Sequence, residues 1–376
     1  MWFDRRDDRM AYENPMDDAP PVSGGIVKPL PPEWFVAHDS NAETRWEALA
    51  GTGYHVPNDR FFVRNHTTTP LIDAASWRLR VHGRGLRAPR TFDYAELRAM
   101  PQVTIDAAVE CAGNGRAFYA AQQGTPTPGT PWRLGGIGVA RWGGVPLAAV
   151  LRSAGLTSGA VDVLGVGLDA DYICGGVNHG RVRRPLPIAK ALSDVLLALD
   201  MNGEPLPPDH GFPARLIVPS WIGVASIKWL GEIEVSDEPI LTPWNTVFYR
   251  MPRWGPPLTT QVPKSAFELP WDAVLPAGRE LELRGRSWSG NGRVVRVEIS
   301  VDGGASWERA TLHGPRPAAG WARWRFTWRP PGPGGYALLA RATDESGTTQ
   351  PLRAPFNADG YLFGAVVAHP VRVIST

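Results

Sequence analysis

The amino-acid sequence predicts an α+β protein: a mixed α+β domain over residues 33–245, then an all-β sandwich over 246–376, with an extended arm over 1–32 in front. Three observations carry this expectation. The chain has 376 residues, which fits about two domains of roughly 100–200 residues each. It holds 41 glycines and 37 prolines, a density that suits strands joined by many turns better than a helical bundle. The hydrophobic period also changes along the chain, mixing helical and strand-like runs before Pro239 and showing only short alternating strands after the proline-rich stretch that follows it.

From Met1 to about Pro32 the chain is polar, proline-rich and without periodicity, and reads as a surface arm with no catalytic residue. Strands are expected at Arg78-Leu79-Arg80-Val81 and from Val103 to Val109. A helix is expected where Leu147, Val150, Leu151 and Ala154 fall at i, i+3, i+4 and i+7, with Gly155 at its end. Pro243, Pro252, Pro256, Pro257, Pro263 and Pro270 form a connector. Beyond it, Val295, Val297, Ile299 and Val301 alternate with polar residues, as do Trp324, Phe326 and Trp328, and Tyr336 to Thr343 adds a further strand. With turns at Ser289-Gly290-Asn291-Gly292 and Asp302-Gly303-Gly304, this is the pattern of an immunoglobulin-like sandwich.

Composition excludes several functions. With 43% hydrophobic and 20% charged residues the chain resembles ordinary globular proteins, and no run approaches the roughly 18 apolar residues of a membrane helix. The net charge is +2 and no basic stripe interleaves with aromatics, so neither nucleic acid nor membrane is expected as a partner. Only Lys28, Lys190, Lys228 and Lys264 are lysines among 39 Lys plus Arg, and arginine suits bidentate recognition of oxyanions. Arg5-Arg6 is followed by Asp7-Asp8 and no apolar stretch, so the expected location is cytoplasmic. Two cysteines, Cys111 and Cys174, exclude a four-cysteine zinc site, and without a C-x-x-C-H motif no haem is expected. Gly165 to Ala170 formally matches G-x-G-x-x-A, but the residues after it do not read as the helix a dinucleotide site needs.

The most informative segment is Val109-Glu110-Cys111-Ala112-Gly113-Asn114-Gly115-Arg116, which places a thiol where an alternating strand runs out into a turn. By its residues alone Cys111 is a small buried hydrophobe, a nucleophile paired with His66 or His210, or a single thiolate ligand to a soft metal.

Cys111 to Arg116 resembles the C-A-G-N-x-R segment of the sulfite oxidase family of molybdenum enzymes. The resemblance continues in Phe61 to His66 (F-F-x-R-N-H), in Gly167-Leu168-Asp169, in Met201 to Pro207 with Asp209 to Arg215, and in Gly223 to Gly231 with Lys228-Trp229-Leu230-Gly231. It implies a molybdenum–molybdopterin cofactor with Cys111 as the one protein ligand to the metal. It also implies a pterin surrounded by Phe62, Val63, Arg64, Asn65, His66, Asp169, His210, Arg215, Ser226, Ile227 and Lys228, with Arg215 and Lys228 at its phosphate. Arg64, Arg116 and Tyr249 would hold a small oxyanion.

The implied reaction is oxidation of sulfite to sulfate, with electrons passed to an external acceptor, a cytochrome or dioxygen. The implied assembly is a homodimer formed through the C-terminal domain. One further family arginine aligns with Asp359, and Arg353 and Arg372 are the nearest arginines. That departure keeps open another oxyanion substrate, or the reverse chemistry of a nitrate or S-oxide reductase.

Overall fold

The computed structural model describes residues 25–251 and 255–375; most of the expected arm, residues 1–24, lies outside them. The first domain is built on two five-stranded sheets. One orders Arg183–Pro187, Asp162–Gly167, Leu230–Ser236, Arg78–His82 and Arg90–Asp93; the other carries Glu204–Pro205, Leu196–Met201, Ile137–Pro146 and Val103–Glu110, with Arg215–Ile217 also paired to Leu196–Met201. The expected helix forms over Leu147–Ser153, burying Leu147, Val150 and Leu151, and Gly155 follows at φ 85° as a helix end requires. Its apolar face shares one core with Leu79 and Val81 of the first sheet and Val145 and Leu197 of the second. After Gly167 the chain makes no helix, in keeping with rejection of the dinucleotide motif.

The second domain is a β-sandwich. Lys264–Phe267, Leu281–Trp288, Trp321–Trp328 and Thr311–His313 form one sheet; Ala273–Pro276, His369–Ile374, Gly334–Asp344, Val294–Ser300 and Glu308–Arg309 form the other. Leu283, Trp324, Val297, Ile299, Leu338 and Val371 fill the space between them. The expected alternation fails at Val295, which is 44% exposed while Val294 is buried. A bulge between Val294 and Arg296 adds one residue and shifts the phase of the strand start.

Residues 246–251 and 255–263 lie against the first domain. A capping box at Thr242 starts the short helix Pro243–Thr246, and Trp244, Phe248, Tyr249 and Leu258 bury themselves against Tyr172 and Ile222. The domains also share a core, in which Trp288 and Trp321 pack with Tyr54, and Arg286 stacks 4.4 Å over Trp321 while donating to Glu268. Among the described residues no helix is long and apolar enough to cross a membrane.

Candidate active site

Strand Val103–Glu110 ends at Cys111, whose N–H donates to Gly136 O (2.9 Å) and whose carbonyl accepts from Asn114 N (2.9 Å). The strand thus breaks into a tight turn at the thiol. The Arg116 guanidinium packs over Gly113, where a Cβ would lie 2.8 Å from it and would push it aside. Cys111 lines a cavity that opens to solvent and whose wall mixes apolar side chains with a few converging polar and charged ones, as ligand sites do. Phe62, Arg64, Asn65, His66, Asp169, His210, Arg215, Ser226, Ile227, Lys228 and Tyr249 line the same cavity, so residues separated by up to 187 positions converge on the thiol.

Two expected residues do not reach it. Val63 points the other way, into a small apolar cluster with Phe35 and Ala42, because alternation along Val63–Arg64 sends only Arg64 inward. Arg116 is 4% exposed but lies behind the wall. Its guanidinium threads past Gly113, Gly129 and Gly360, donates to Thr130 O (3.2 Å) and Asp359 O (3.4 Å), and sits 5.5 Å from the Tyr361 ring. Tyr361 in turn stacks on Tyr249 at 5.3 Å, so an aromatic layer separates Arg116 from the cavity.

Neither alternative arginine replaces Asp359. Arg353 is exposed and donates to Gln122 O, and Arg372 points outward from its strand. Asn357 shapes the Asp359 loop by accepting from the N–H groups of Asp359 (2.9 Å) and Gly360 (3.1 Å).

The wall carries buried charge. Arg215 donates to His210 O (2.9 Å) and Ser226 O (3.0 Å), and burial pushes its pKa down to about 9. Lys228 donates to Asn65 Oδ1 and to Asp209 O (2.8 Å), and burial, then Arg215, holds it well below the ordinary lysine value. Burial and then Lys28 do the same for His210, which is therefore neutral. Arg64 is charged: burial opposes its charge, but Tyr249 and Cys111 outweigh that and raise its pKa. Tyr249 shares a 3.0 Å hydrogen bond with His66 Nε2, and burial raises its pKa, so it stays a phenol.

Lys28 was invisible to sequence reasoning. The arm was expected to lie on the surface; at its C-terminal end it instead packs against Asp209 and His210, two residues of the cavity wall. Asp209 grips it through the N–H groups of Val27 (3.0 Å) and Lys28 (2.8 Å), while the Lys28 ammonium reaches Phe61 O and His210 Nε2 (3.3 Å). Burial lowers its pKa to about 7. The available signal was its scarcity as one of four lysines.

The arrangement fits a molybdopterin. Among the described residues no group of three or more His, Cys, Asp or Glu is placed to hold a metal, so a metal at the single thiol must bring its other ligands with it. Arg215, Lys228 and Lys28 exceed the nearby carboxylates, and a phosphate would offset that charge. Asp169 Oδ1 is buried with no hydrogen-bond partner among the described residues, and burial raises its pKa to about 6; a pterin N–H would satisfy it.

The sign of the lysine and arginine shifts gives a test. Their folded pKa values lie below the unfolded ones, so between about pH 7 and 10 the unfolded chain holds more protons and stability rises with pH. That stability is complete above the unfolded values and is lost as pH falls through the folded ones. The Tm of the cofactor-free protein is expected to rise by at least about 3 °C from pH 7 to pH 9, and a bound dianion is expected to abolish the rise. A flat profile without cofactor would contradict the charge assignment.

Family models match the chain in two blocks: an oxidoreductase molybdopterin binding domain over residues 66–244 and a Mo-co oxidoreductase dimerisation domain over 263–369. The chain is 39% identical over 338 residues to sulfite oxidase of Gallus gallus, covering 83% of this chain and 71% of that protein. It is 35% identical over 333 residues to the mitochondrial sulfite oxidase of Mus musculus, where the match spans 83% of this chain and 60% of the relative's length. Nitrate reductase [NADH] 2 of Phaseolus vulgaris is 30% identical over 74% of this chain and 34% of its own. In structure the chain is similar to the sulfane dehydrogenase SoxCD of Paracoccus pantotrophus, with a TM-score of 0.77, 27% identity, and coverage of 97% of this chain and 92% of that one.

Proposed function

The chain belongs to the sulfite oxidase family of molybdopterin-dependent oxidoreductases, and on that premise we propose that it oxidises sulfite to sulfate and passes the electrons to an external one-electron acceptor. One observation carries the reading: Cys111, Arg64 and Tyr249 share a cavity with the basic pair Arg215 and Lys228 and with neutral His210. When bound, the molybdenum centre supplies oxygen-atom transfer and the two-electron redox step.

The chain's own residues do the rest. Cys111 offers the one thiolate. Arg215 and Lys228 bind the cofactor phosphate, with neutral His210 beside them, and Asp169 accepts from the pterin. Arg64, a guanidinium that stays protonated, draws in the sulfite dianion, and the Tyr249 phenol, oriented by His66, directs a hydrogen bond at it. Phe62, Ile227 and Trp229 give the cavity apolar walls, which lower the local dielectric and strengthen both interactions. Two such chains would pair through the C-terminal domain.

A second reading rests on Asp359. Its loop touches Arg116, its carboxylate acts on Tyr361, and no described arginine takes its place, which leaves this side of the site less positive toward a dianion. Under this reading the enzyme is a reductase of nitrate or an S-oxide. Sulfite-dependent reduction of an artificial acceptor by protein carrying one molybdenum per chain tests the first reading. Asp359→Arg is expected to lower the KM for sulfite at least about tenfold, about 1.4 kcal/mol of binding. No sulfite turnover, together with nitrate-dependent oxidation of a reduced viologen, would favour the second.

A further inference from the structure

We propose that the buried Lys264–Glu110 ion pair is a positioning device through which the sandwich domain sets the Cys111 loop. The proposal rests on Cys111 being the metal ligand. Lys264 opens the first strand of the sandwich, and Glu110 is the last residue of the strand that delivers Cys111. Both side chains are 2% exposed, and they meet across the domain boundary at 2.8 Å.

The pair is the root of a closed network. Lys264 Nζ also donates to Asn114 O (2.7 Å), and Glu110 Oε1 also accepts from Asn114 Nδ2 (2.9 Å). Asn114 Oδ1 accepts from Gly136 N (3.0 Å), and Gly136 O accepts from Cys111 N (2.9 Å). The Cys111 backbone is therefore tied to the ion pair through a short chain of hydrogen bonds. The sandwich domain supplies the loop's other support as well. Leu362 N donates to Ala112 O (2.8 Å), and Phe363 occupies the space a side chain on Gly115 would need, 2.9 Å from its Cβ position.

An apolar pair of equal volume would fill the same space without the desolvation cost of two buried charges. It would not fix where the turn sits, because only directional donors and acceptors select one register of Asn114. Lysine also suits the position better than the arginine that dominates the chain: a compact ammonium reaches one carboxylate oxygen and one carbonyl where a planar guanidinium needs more room. Undocking the sandwich would thus release the ligand loop, making the second domain part of the metal site.

The two cysteines provide the test, since Cys111 lies on this network and Cys174 sits elsewhere in the core. In full-length protein prepared without cofactor, iodoacetamide labelling is followed at each cysteine by peptide mass spectrometry. Lys264→Gln is expected to speed labelling of Cys111 at least about tenfold while Cys174 stays near the parental rate, because the loop opens locally. The double variant Glu110→Gln with Lys264→Gln buries no charge and replaces the ion pair by a neutral hydrogen bond, so it is expected to return Cys111 to within about threefold of the parent.

In the loaded protein the single variant is expected to shift the thiolate-to-molybdenum absorption, and the double variant to restore it. Equal acceleration at both cysteines means general loosening and overturns the proposal, as does a parental Cys111 rate in the single variant. A double variant whose Cys111 labels more than about threefold faster than the parent's overturns it too, and this arm needs no folded single variant. Absence of molybdenum from the parent protein would instead overturn the proposed function, leaving the labelling result to stand by itself.

Discussion

Replacing Cys111 by serine is expected to lower sulfite turnover at least about a thousandfold, a loss of about 4 kcal/mol of transition-state stabilisation, with the pterin still bound. The hydroxyl of serine fills the same space but is a hard ligand that stays protonated near neutral pH, whereas a thiolate matches a metal that already carries sulfur ligands. Retention of the pterin follows from geometry. Arg215, Lys228, His210 and Asp169 line the cavity independently of the thiol, held by bonds from Arg215 to His210 O and Ser226 O and from Lys228 to Asp209 O. Acceptor reduction and pterin content measured on one sample separate the two effects. Turnover within about tenfold of the parent would remove Cys111 from the metal site, because a lost ligand costs more than about 1.4 kcal/mol.

Arg215→Met is expected to have the opposite signature: pterin content falls at least about a hundredfold at limiting cofactor, about 2.7 kcal/mol, while the cofactor-free protein folds nearly as well as its parent. A buried guanidinium donating to a phosphate makes charge-assisted bonds of about 1.5–3 kcal/mol each, so losing one or two accounts for the size. In the cofactor-free protein the same group is costly, as its pKa of about 9 records, and methionine removes that cost while exposing two carbonyls, of His210 and Ser226, to loss of their donor. The two effects oppose each other. Arg215→Lys is expected to recover little, because an ammonium cannot span both carbonyls and the phosphate. Pterin fluorescence after oxidative release, read beside the Tm of cofactor-free protein, checks both halves. Cofactor retained at the parental level would move the phosphate away from Arg215.

The site was legible wherever a short segment carries its own geometry. Strand alternation before Cys111 and the glycines after it mark a thiol at a strand end, and the structure places it there with Gly113 beside the Arg116 guanidinium. Tyr249 also lines the cavity, although it comes from the proline-rich connector, which reads as a linker yet folds back over the first domain because Trp244 and Phe248 bury there. The Val63 side chain turns away from the cavity for a local reason, a strand alternation that sends it to Phe35. The Arg116 guanidinium is kept out of the cavity wall for a distant one, the stacked pair Tyr249–Tyr361 beside it.

Composition and periodicity pointed to two domains and to the strand that presents Cys111, and the family resemblance pointed to Arg64, His66, Asp169, His210, Arg215 and Lys228, which the fold brings to one cavity. Each of these depends on residues close together in the chain or on a family resemblance that short motifs carry. Tertiary packing decided the rest: Lys28 at the His210 ring, Arg116 behind the wall, Asp359 unreplaced, and Lys264 joined to Glu110 across 154 residues of chain. A charge entering a low-dielectric interior must find its partner wherever the fold brings one, and no local pattern records which distant residue that will be.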